Sequence, residues 1–245
     1  DRSVGSAGNQ AANQFIANEL DNLGWRVIKD KFDALDWENQ GAMLSAMGQS
    51  FEVFVSPYSL ACQCEGDLLP IENMSSLRHS DLDGKIVFLY GDIAKEQLMP
   101  KKFVFYNPEE HQQIIQMLEE GNPRAVLAAT GRNPELAGGI YPFALIEDGD
   151  FLVPAAYMTE EEGQRLLATM AESVKLVINS QRLPSTAMNV TAFNMDDNHS
   201  RVVVSAHMDA KKGSPGALDN ASGVVVLLLL AHLLKDKPTK WPIEL

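Results

Sequence analysis

The sequence predicts an α/β fold interrupted by an inserted domain. Three observations carry that reading. A helix-then-strand grammar opens the chain over residues 11–32, a dense series of short strands and helices fills residues 46–182, and strands followed by a long apolar helix return after 183. The expected domains are therefore residues 1–45 with 183–245, and an insert at 46–182.

Arg2–Asn9 is a loop of small residues. Between Ala11 and Leu23 the apolar residues fall at 12, 15, 16, 20 and 23, the stripe of an amphipathic helix. Gly24 is placed to end that helix, and Trp25–Phe32 predicts a strand. In the insert, Phe51–Val55 and Lys85–Tyr90 predict strands. Asn107-Pro108-Glu109-Glu110 has the form of a helix start, with Asn107 as the side-chain cap and an apolar face at Ile114, Ile115 and Leu118. Ala125–Ala129 and Phe151–Met158 predict two more strands. Thr159-Glu160-Glu161-Glu162 has capping-box spacing for a helix through Met170, and Val174–Ile178 closes the insert.

After the insert, Met188–Phe193 and Arg201–Ala206 predict two strands joined as a hairpin by the polar loop 194–200. Trp241–Leu245 has the character of the first half of a further strand.

The chemistry concentrates between Arg201 and Leu234. Val202-Val203-Val204 predicts a strand, and His207 and Asp209 lie two residues apart, so their side chains leave one face. A Gly- and Pro-bearing loop follows from Lys211 to Gly216, then Asp219-Asn220, then the apolar run Gly223–Leu234, expected as a buried helix. One imidazole and two carboxylates are thus brought together in a pattern that suits a dication such as zinc, which takes imidazole nitrogen and carboxylate oxygen at ~2.0–2.2 Å. Asp209 can orient the imidazole rather than bind. Asp219 sits where a helix dipole favours a carboxylate. Asn220 and Ser222 are placed to satisfy local backbone donors.

Composition narrows the partners. The formal net charge of −13 argues against nucleic acid and anionic membrane, because phosphates are repelled. The run Gly223–Leu234, interrupted by His232, falls short of the ~20 residues that a membrane-spanning helix needs. The chain starts at Asp1 and is expected to be processed or trimmed, so no compartment is assigned. The two cysteines, Cys62 and Cys64, are expected as reduced thiols. His79, His111 and His199 fall outside the cluster, His232 is expected in the core or at its boundary, and Asp196-Asp197 and Lys211-Lys212 are expected to be solvated.

SAHMDA (205–210) followed by SPGALDNASG (214–223) resembles the motif of the M28 family of zinc aminopeptidases. The opening RSVGSAGNQAANQFIANELDNLGW is similar to the family's first loop and helix. DLDGKIVFLYG and VPAAYMTEEEGQRLL resemble the protease-associated domain that many members carry as an insert. The resemblance implies a three-layer zinc-exopeptidase-like α/β sheet domain with an inserted α+β protease-associated domain. It implies removal of N-terminal residues from peptides by metal-assisted hydrolysis, with two zinc ions in the complete site. His207 is implied as a ligand of one zinc, Asp219 as the bridge between two, and Asp209 as the catalytic residue that orients His207.

In the family the strand begun at Ile243-Glu244-Leu245 runs on to an acidic pair, and further ligands follow. The chain is therefore expected to be truncated at its C-terminus, with an incomplete site, weak or absent zinc and no activity in isolation. An incomplete sheet leaves an open edge, so a homo-oligomer formed through that edge is expected alongside peptide substrate. The alternative function is a non-catalytic interaction module on a peptidase scaffold.

Overall fold

The computed structural model describes residues 1–103, 106–133, 139–140, 142–143, 149–195 and 200–245. His199 and Asp196-Asp197 lie outside them. The fold is mixed α/β, and the chain divides into two compact units, Asp1–Asp36 with Leu183–Leu245, and Trp37–Arg182.

In the first unit, α1 (Ala7–Asn22) starts at Ser6, whose side chain accepts from the Asn9 N–H. It ends at Gly24, whose φ of 84° is the left-handed conformation that favours glycine, with the Gly24 N–H on the Asp21 carbonyl at 2.8 Å. Its inward face is Asn9, Asn13, Ala17 and Leu20, while Phe15 is exposed. The expected stripe is thus rotated. Two asparagines hold the buried face because their amides have partners: Asn9 donates to the Arg2 carbonyl at 3.3 Å and Asn13 to Asn9 Oδ1 at 3.3 Å.

Strand β1 (Arg26–Ala46) follows, and both β1 and β10 (Ser173–Phe193) pass from one unit into the other. Beyond β10 come β11 (Val202–Val203), a π-type turn at Ala217–Ala221, α5 (Ser222–Leu234) and β12 (Ile243–Glu244). Residues 188–193 and 201–206 do not form the expected hairpin. Strand β12 lies between β10 and β11, antiparallel to the first at Phe193↔Glu244 and parallel to the second at Val202↔Ile243. The last residues of the chain take the ladder positions that a hairpin would have used.

Helix α5 packs Leu227, Leu228, Leu230, Ala231 and Leu234 into a cluster with Leu20, Trp25 and Ala192, and Trp25 Nε1 donates to the Ala231 carbonyl at 3.2 Å. It is not the buried helix the sequence predicts. Only Ala231 is buried, and Val225, Val226, Leu229 and Leu233 are exposed. Apart from Ser222, Gly223 and His232 the helix is apolar all round, and among the described residues only one side of it finds partners. His232 is exposed rather than in the core. By length and composition alone Ala217–Leu234 could cross a membrane.

The second unit contains β2 (Gln49–Phe51), β3 (Phe54–Val55), β4 (Cys62–Ile71), α2 (Met74–Arg78), β5 (Ile86–Leu89), α3 (Glu109–Glu120), β6 (Ala125–Thr130), β7 (Arg132–Asn133), β8 (Gly139–Ile140), β9 (Ala155–Thr159) and α4 (Glu160–Ala168). Strands β4, β5, β6 and β9 pair in parallel, flanked by antiparallel β10 beside β4 and β3 beside β9. β7 and β8 form a separate antiparallel pair. Both faces of β5 and β6 are buried, which is why IVFL and AVLAA are continuous apolar runs rather than alternating ones. Val87, Leu89, Val126 and Ala128 pack with Ile114, Ile115 and Leu118 of α3. On α4, a Cβ added at Gly163 would lie 2.4 Å from Ala129 Cβ, a close approach of helix to strand that only glycine allows.

Local starts differ from expectation in detail. Pro108 is the N-cap of α3 and makes no side-chain cap bond; Asn107 instead accepts from Gln112 Nε2 and donates to the Lys101 carbonyl. Thr159 caps α4 by accepting from the Glu162 N–H, while the Glu162 carboxylate faces the Glu52 N–H and Arg165.

Candidate functional site

The site is built on the segment that leaves β11 and turns back into α5. The ladder with β12 continues to the Val204 N–H, which donates to the Glu244 carbonyl at 2.9 Å. The chain then runs on, outside regular structure, through His207 to Ala210. Arg2 holds this segment in place. Its Nε donates to the Met208 carbonyl at 3.0 Å, and its two terminal nitrogens donate to the Pro215 and Gly216 carbonyls at 2.8 and 2.9 Å. The Arg2 carbonyl accepts from the Ala210 N–H at 3.2 Å. A planar fork of donors thus ties both ends of the loop to the N-terminus. Reading the sequence did not single out Arg2. Its only signal was its place in the N-terminal stretch that resembles the family's opening loop.

Gly216 completes the turn. Its φ is +54°, and a Cβ there would fall 2.4 Å from Ala210 Cβ and 2.9 Å from the Asp219 carbonyl oxygen. The peptide between Asp219 and Asn220 is cis. Asn220 Oδ1 accepts from the Gly223 N–H at 3.2 Å, whereas Ser222 Oγ donates to the Leu218 carbonyl at 2.8 Å and so satisfies an acceptor, not the expected donor.

His207, Asp209 and Asp219 are brought together. His207 Nε2 lies 2.8 Å from Asp219 Oδ1, and His207 Nδ1 lies 3.3 Å from Asp209 Oδ1. The ring is clasped by one carboxylate at each nitrogen. Burial lowers the proton affinity of His207, but the hydrogen bond to Asp219 and the charges of Asp209 and Asp219 outweigh it, and the net shift is upward from the ordinary 6.5. The cluster faces solvent, with the His207 side chain 52% and that of Asp219 90% exposed. A cavity of about 320 Å³ beside His207 and Asp209 is lined by Asn13, Val190, Val203, Val224 and Leu228. Lys212 is not simply solvated, since its Nζ lies 3.6 Å from Asp36 Oδ1.

The donor set fits part of a zinc site. An imidazole nitrogen and a carboxylate oxygen already face each other, and the second carboxylate holds the far nitrogen, the arrangement that orients a ligating histidine. Because Asp209 reaches the other side of the ring, the three do not converge on one point. Among the described residues no group of three or more His, Cys, Asp or Glu is arranged to hold an ion. A catalytic zinc takes three protein ligands, and His207 with Asp219 supplies two.

Comparison with known proteins gives a consistent picture. The model of peptidase family M28 matches residues 189–244. The chain is 25% identical over 244 residues to the Probable lipoprotein aminopeptidase LpqL of Mycobacterium tuberculosis, covering 97% of this chain and 46% of that protein. Among solved structures, an aminopeptidase from Aneurinibacillus sp. strain AM-1 superposes with a TM-score of 0.74 at 19% identity, over 99% of this chain and 57% of that one. A zinc aminopeptidase from Bacillus subtilis gives 0.63 at 21% identity, over 99% and 55%. At these identities the structural likeness is one of fold. The chain spans about half the length of the proteins it matches.

Proposed function

The match of the peptidase family M28 model to residues 189–244 is the premise on which we propose that the chain carries the first part of the metal site of a zinc aminopeptidase that removes N-terminal residues from peptides. The observation that carries the proposal is the clasped ring, with His207 Nε2 at 2.8 Å from Asp219 Oδ1 and Nδ1 at 3.3 Å from Asp209 Oδ1. In this reading His207 and Asp219 would hold zinc, and Asp219, whose side chain is 90% exposed, would serve both ions of a two-zinc site. Asp209 accepts the Nδ1 proton and so keeps Nε2 unprotonated and aimed. When bound, zinc supplies Lewis-acid polarisation of the peptide carbonyl and lowers the pKa of attacking water toward ~7. Arg2 and Gly216 hold the loop that sets the spacing between the two ligands.

Two donors make a weak site. We therefore propose that these 245 residues alone bind zinc weakly and hydrolyse no peptide. Calorimetric titration with zinc tests the first part: weak uptake that disappears in His207→Ala and Asp219→Ala is expected. Uptake unchanged by both substitutions would remove the proposed ligands and leave a non-catalytic module as the better reading. A dipeptide panel tests the second part, and zinc-dependent release of free amino acids by this chain overturns it.

Residues 46–182 are proposed as the protease-associated-like insert, a reading supported by the buried core of the compact unit Trp37–Arg182 that contains them and by the similarity of Asp81–Gly91 and Val153–Leu167 to that domain. The partner proposed beyond peptide substrate is a second copy of the chain, paired through β11. That strand ends the sheet path, and its Val202 and Val203 are exposed. Sedimentation should show a concentration-dependent dimer; a stable monomer counts against it.

A further inference from the structure

Cys62 and Cys64 stand two apart on β4, so both thiols leave the same face of the strand. They pair in register with Ile178 and Leu176 of β10, whose side chains are buried, while the two cysteines themselves are partly exposed and free. Their sulfurs are 3.9 Å apart. Gly66, two residues further on, belongs to the same face. A Cβ added there would lie 3.4 Å from Arg124 Cδ and 3.7 Å from Arg124 Nε, so the arginine side chain runs over Gly66, and its Nη1 donates to the Glu65 carbonyl at 2.9 Å.

This arrangement treats the two sulfurs unequally. Cys64 stands between a second thiol and a guanidinium, whereas Cys62 has the thiol alone. A thiolate at Cys64 is therefore the charged form that its surroundings favour. The hydrogen bond from Cys62 lowers the Cys64 thiol to about 7, against the opposing effect of burial and with help from the Arg124 charge. The same hydrogen bond, together with burial, pushes the Cys62 thiol upward and keeps it protonated. Near neutral pH the pair thus presents one nucleophile and one donor.

Backbone geometry keeps the two from joining. A disulfide needs sulfurs at ~2.05 Å and Cα atoms within ~6.8 Å. Residues two apart on an extended strand have Cα atoms ~6.6–6.8 Å apart, at the limit of that range. The ladder of Cys62–Asp67 with Ser173–Ile178 holds β4 extended, so closing the bond would pull it away from β10. A sulfur attached to Cys64 from outside needs no such movement.

We propose that Cys64 is a thiolation site, which captures a low-molecular-weight disulfide of the glutathione class as a stable mixed disulfide, with Cys62 acting as hydrogen-bond donor and not as resolving thiol. In the step, the Cys64 thiolate attacks one sulfur of the reagent. A new S–S bond forms, the reagent's S–S bond breaks, and its other half leaves as a thiolate that takes a proton from solvent. Cys64 is oxidised, the leaving half is reduced, and no further oxidant is consumed.

The test incubates the whole chain, reduced and free of oxygen, with excess glutathione disulfide at a series of pH values, and follows the adduct by intact mass and peptide mapping. One adduct per chain is expected, on Cys64, reversed by a reductant, with a rate half-maximal near pH 7. Cys64→Ser should abolish it. Cys62→Ala should move the midpoint up by about one unit, toward the ordinary ~8.5 of a free thiol, and Cys62→Ser, which keeps an O–H donor, should recover part of that shift. Arg124→Gln should move it in the same direction by less. Far-ultraviolet dichroism reports whether each variant keeps its fold, and the site and midpoint in the parent chain decide the matter without any variant. An adduct mapped to Cys62, or a parent midpoint near 8.5, overturns the assignment. So does a chain that takes up no adduct. Loss of two hydrogens in place of adduct gain overturns it in favour of a Cys62–Cys64 redox pair.

Discussion

Replacing Arg2 by alanine should free the loop that carries the candidate ligands. The side chain donates to three carbonyls, Met208, Pro215 and Gly216, at 3.0, 2.8 and 2.9 Å. The bonds to Met208 and Gly216 are part-buried and the one to Pro215 is exposed. Counting only the two part-buried bonds, at ~1.5 kcal/mol each for a charged donor, gives about 3 kcal/mol of local stability. At about 1.4 kcal/mol per decade, that is roughly a hundredfold rise in the open population of the loop. Lys211 and Lys212 lie in that loop and are exposed, so trypsin reports the opening directly. Under conditions where reclosing outruns cleavage, the rate of cutting after these lysines should rise by roughly ten- to a hundredfold. Arg2→Lys keeps the charge but loses the planar fork, and should fall between the two. A cleavage rate within twofold of the parent in Arg2→Ala would refute the assignment of Arg2 as the tie between the N-terminus and the loop.

Other substitutions probe neighbouring features. Gly216→Ala places a Cβ 2.4 Å from Ala210 Cβ at a φ of +54° and should cost roughly 2–5 kcal/mol locally; hydrogen exchange at the Ala210 and Ala221 amides should accelerate, and unchanged protection contradicts it. Gly163→Ala forces α4 away from Ala129 and should cost about 1–3 kcal/mol, read as a lowered urea midpoint for the Trp37–Arg182 unit. In the zinc-free chain, His207 should titrate above 6.5 by NMR because its two carboxylates outweigh burial, and Asp219→Asn should bring the midpoint down. A raised folded-state pKa means that any stability from this clasp is complete below about 6.5 and is lost as pH rises through the folded value. A midpoint at or below 6.5 would show that the carboxylates do not face the ring in solution.

Much of the site was legible because its geometry is local. His207 and Asp209 are two apart, and Asp219 follows a loop whose Gly and Pro residues announce a reversal, so residue spacing alone suggested that the three could meet. What a spacing argument could not supply is the tie at the other end of the chain. Arg2 is more than two hundred residues from the carbonyls it holds, and nothing in its immediate neighbours marks it. The rotated stripe of α1 has a similar cause. Hydrophobicity pointed to Phe15, but Asn9 and Asn13 take the inner face because the fold provides their amides with partners.

By itself, then, the sequence determined the kinds of local structure and the chemistry of the motif. Runs such as IVFL and AVLAA predicted strands, and H-x-D followed by G-A-L-D-N suggested an imidazole near carboxylates. Tertiary structure decided which segments became neighbours. It set β12 between β10 and β11 where a hairpin was expected, and left Val225, Val226, Leu229 and Leu233 of α5 exposed though all four are apolar. It also brought Lys212 to Asp36. Pairing and burial depend on which surfaces meet across long sequence separations. Periodicity reports only which face of an element is able to meet something.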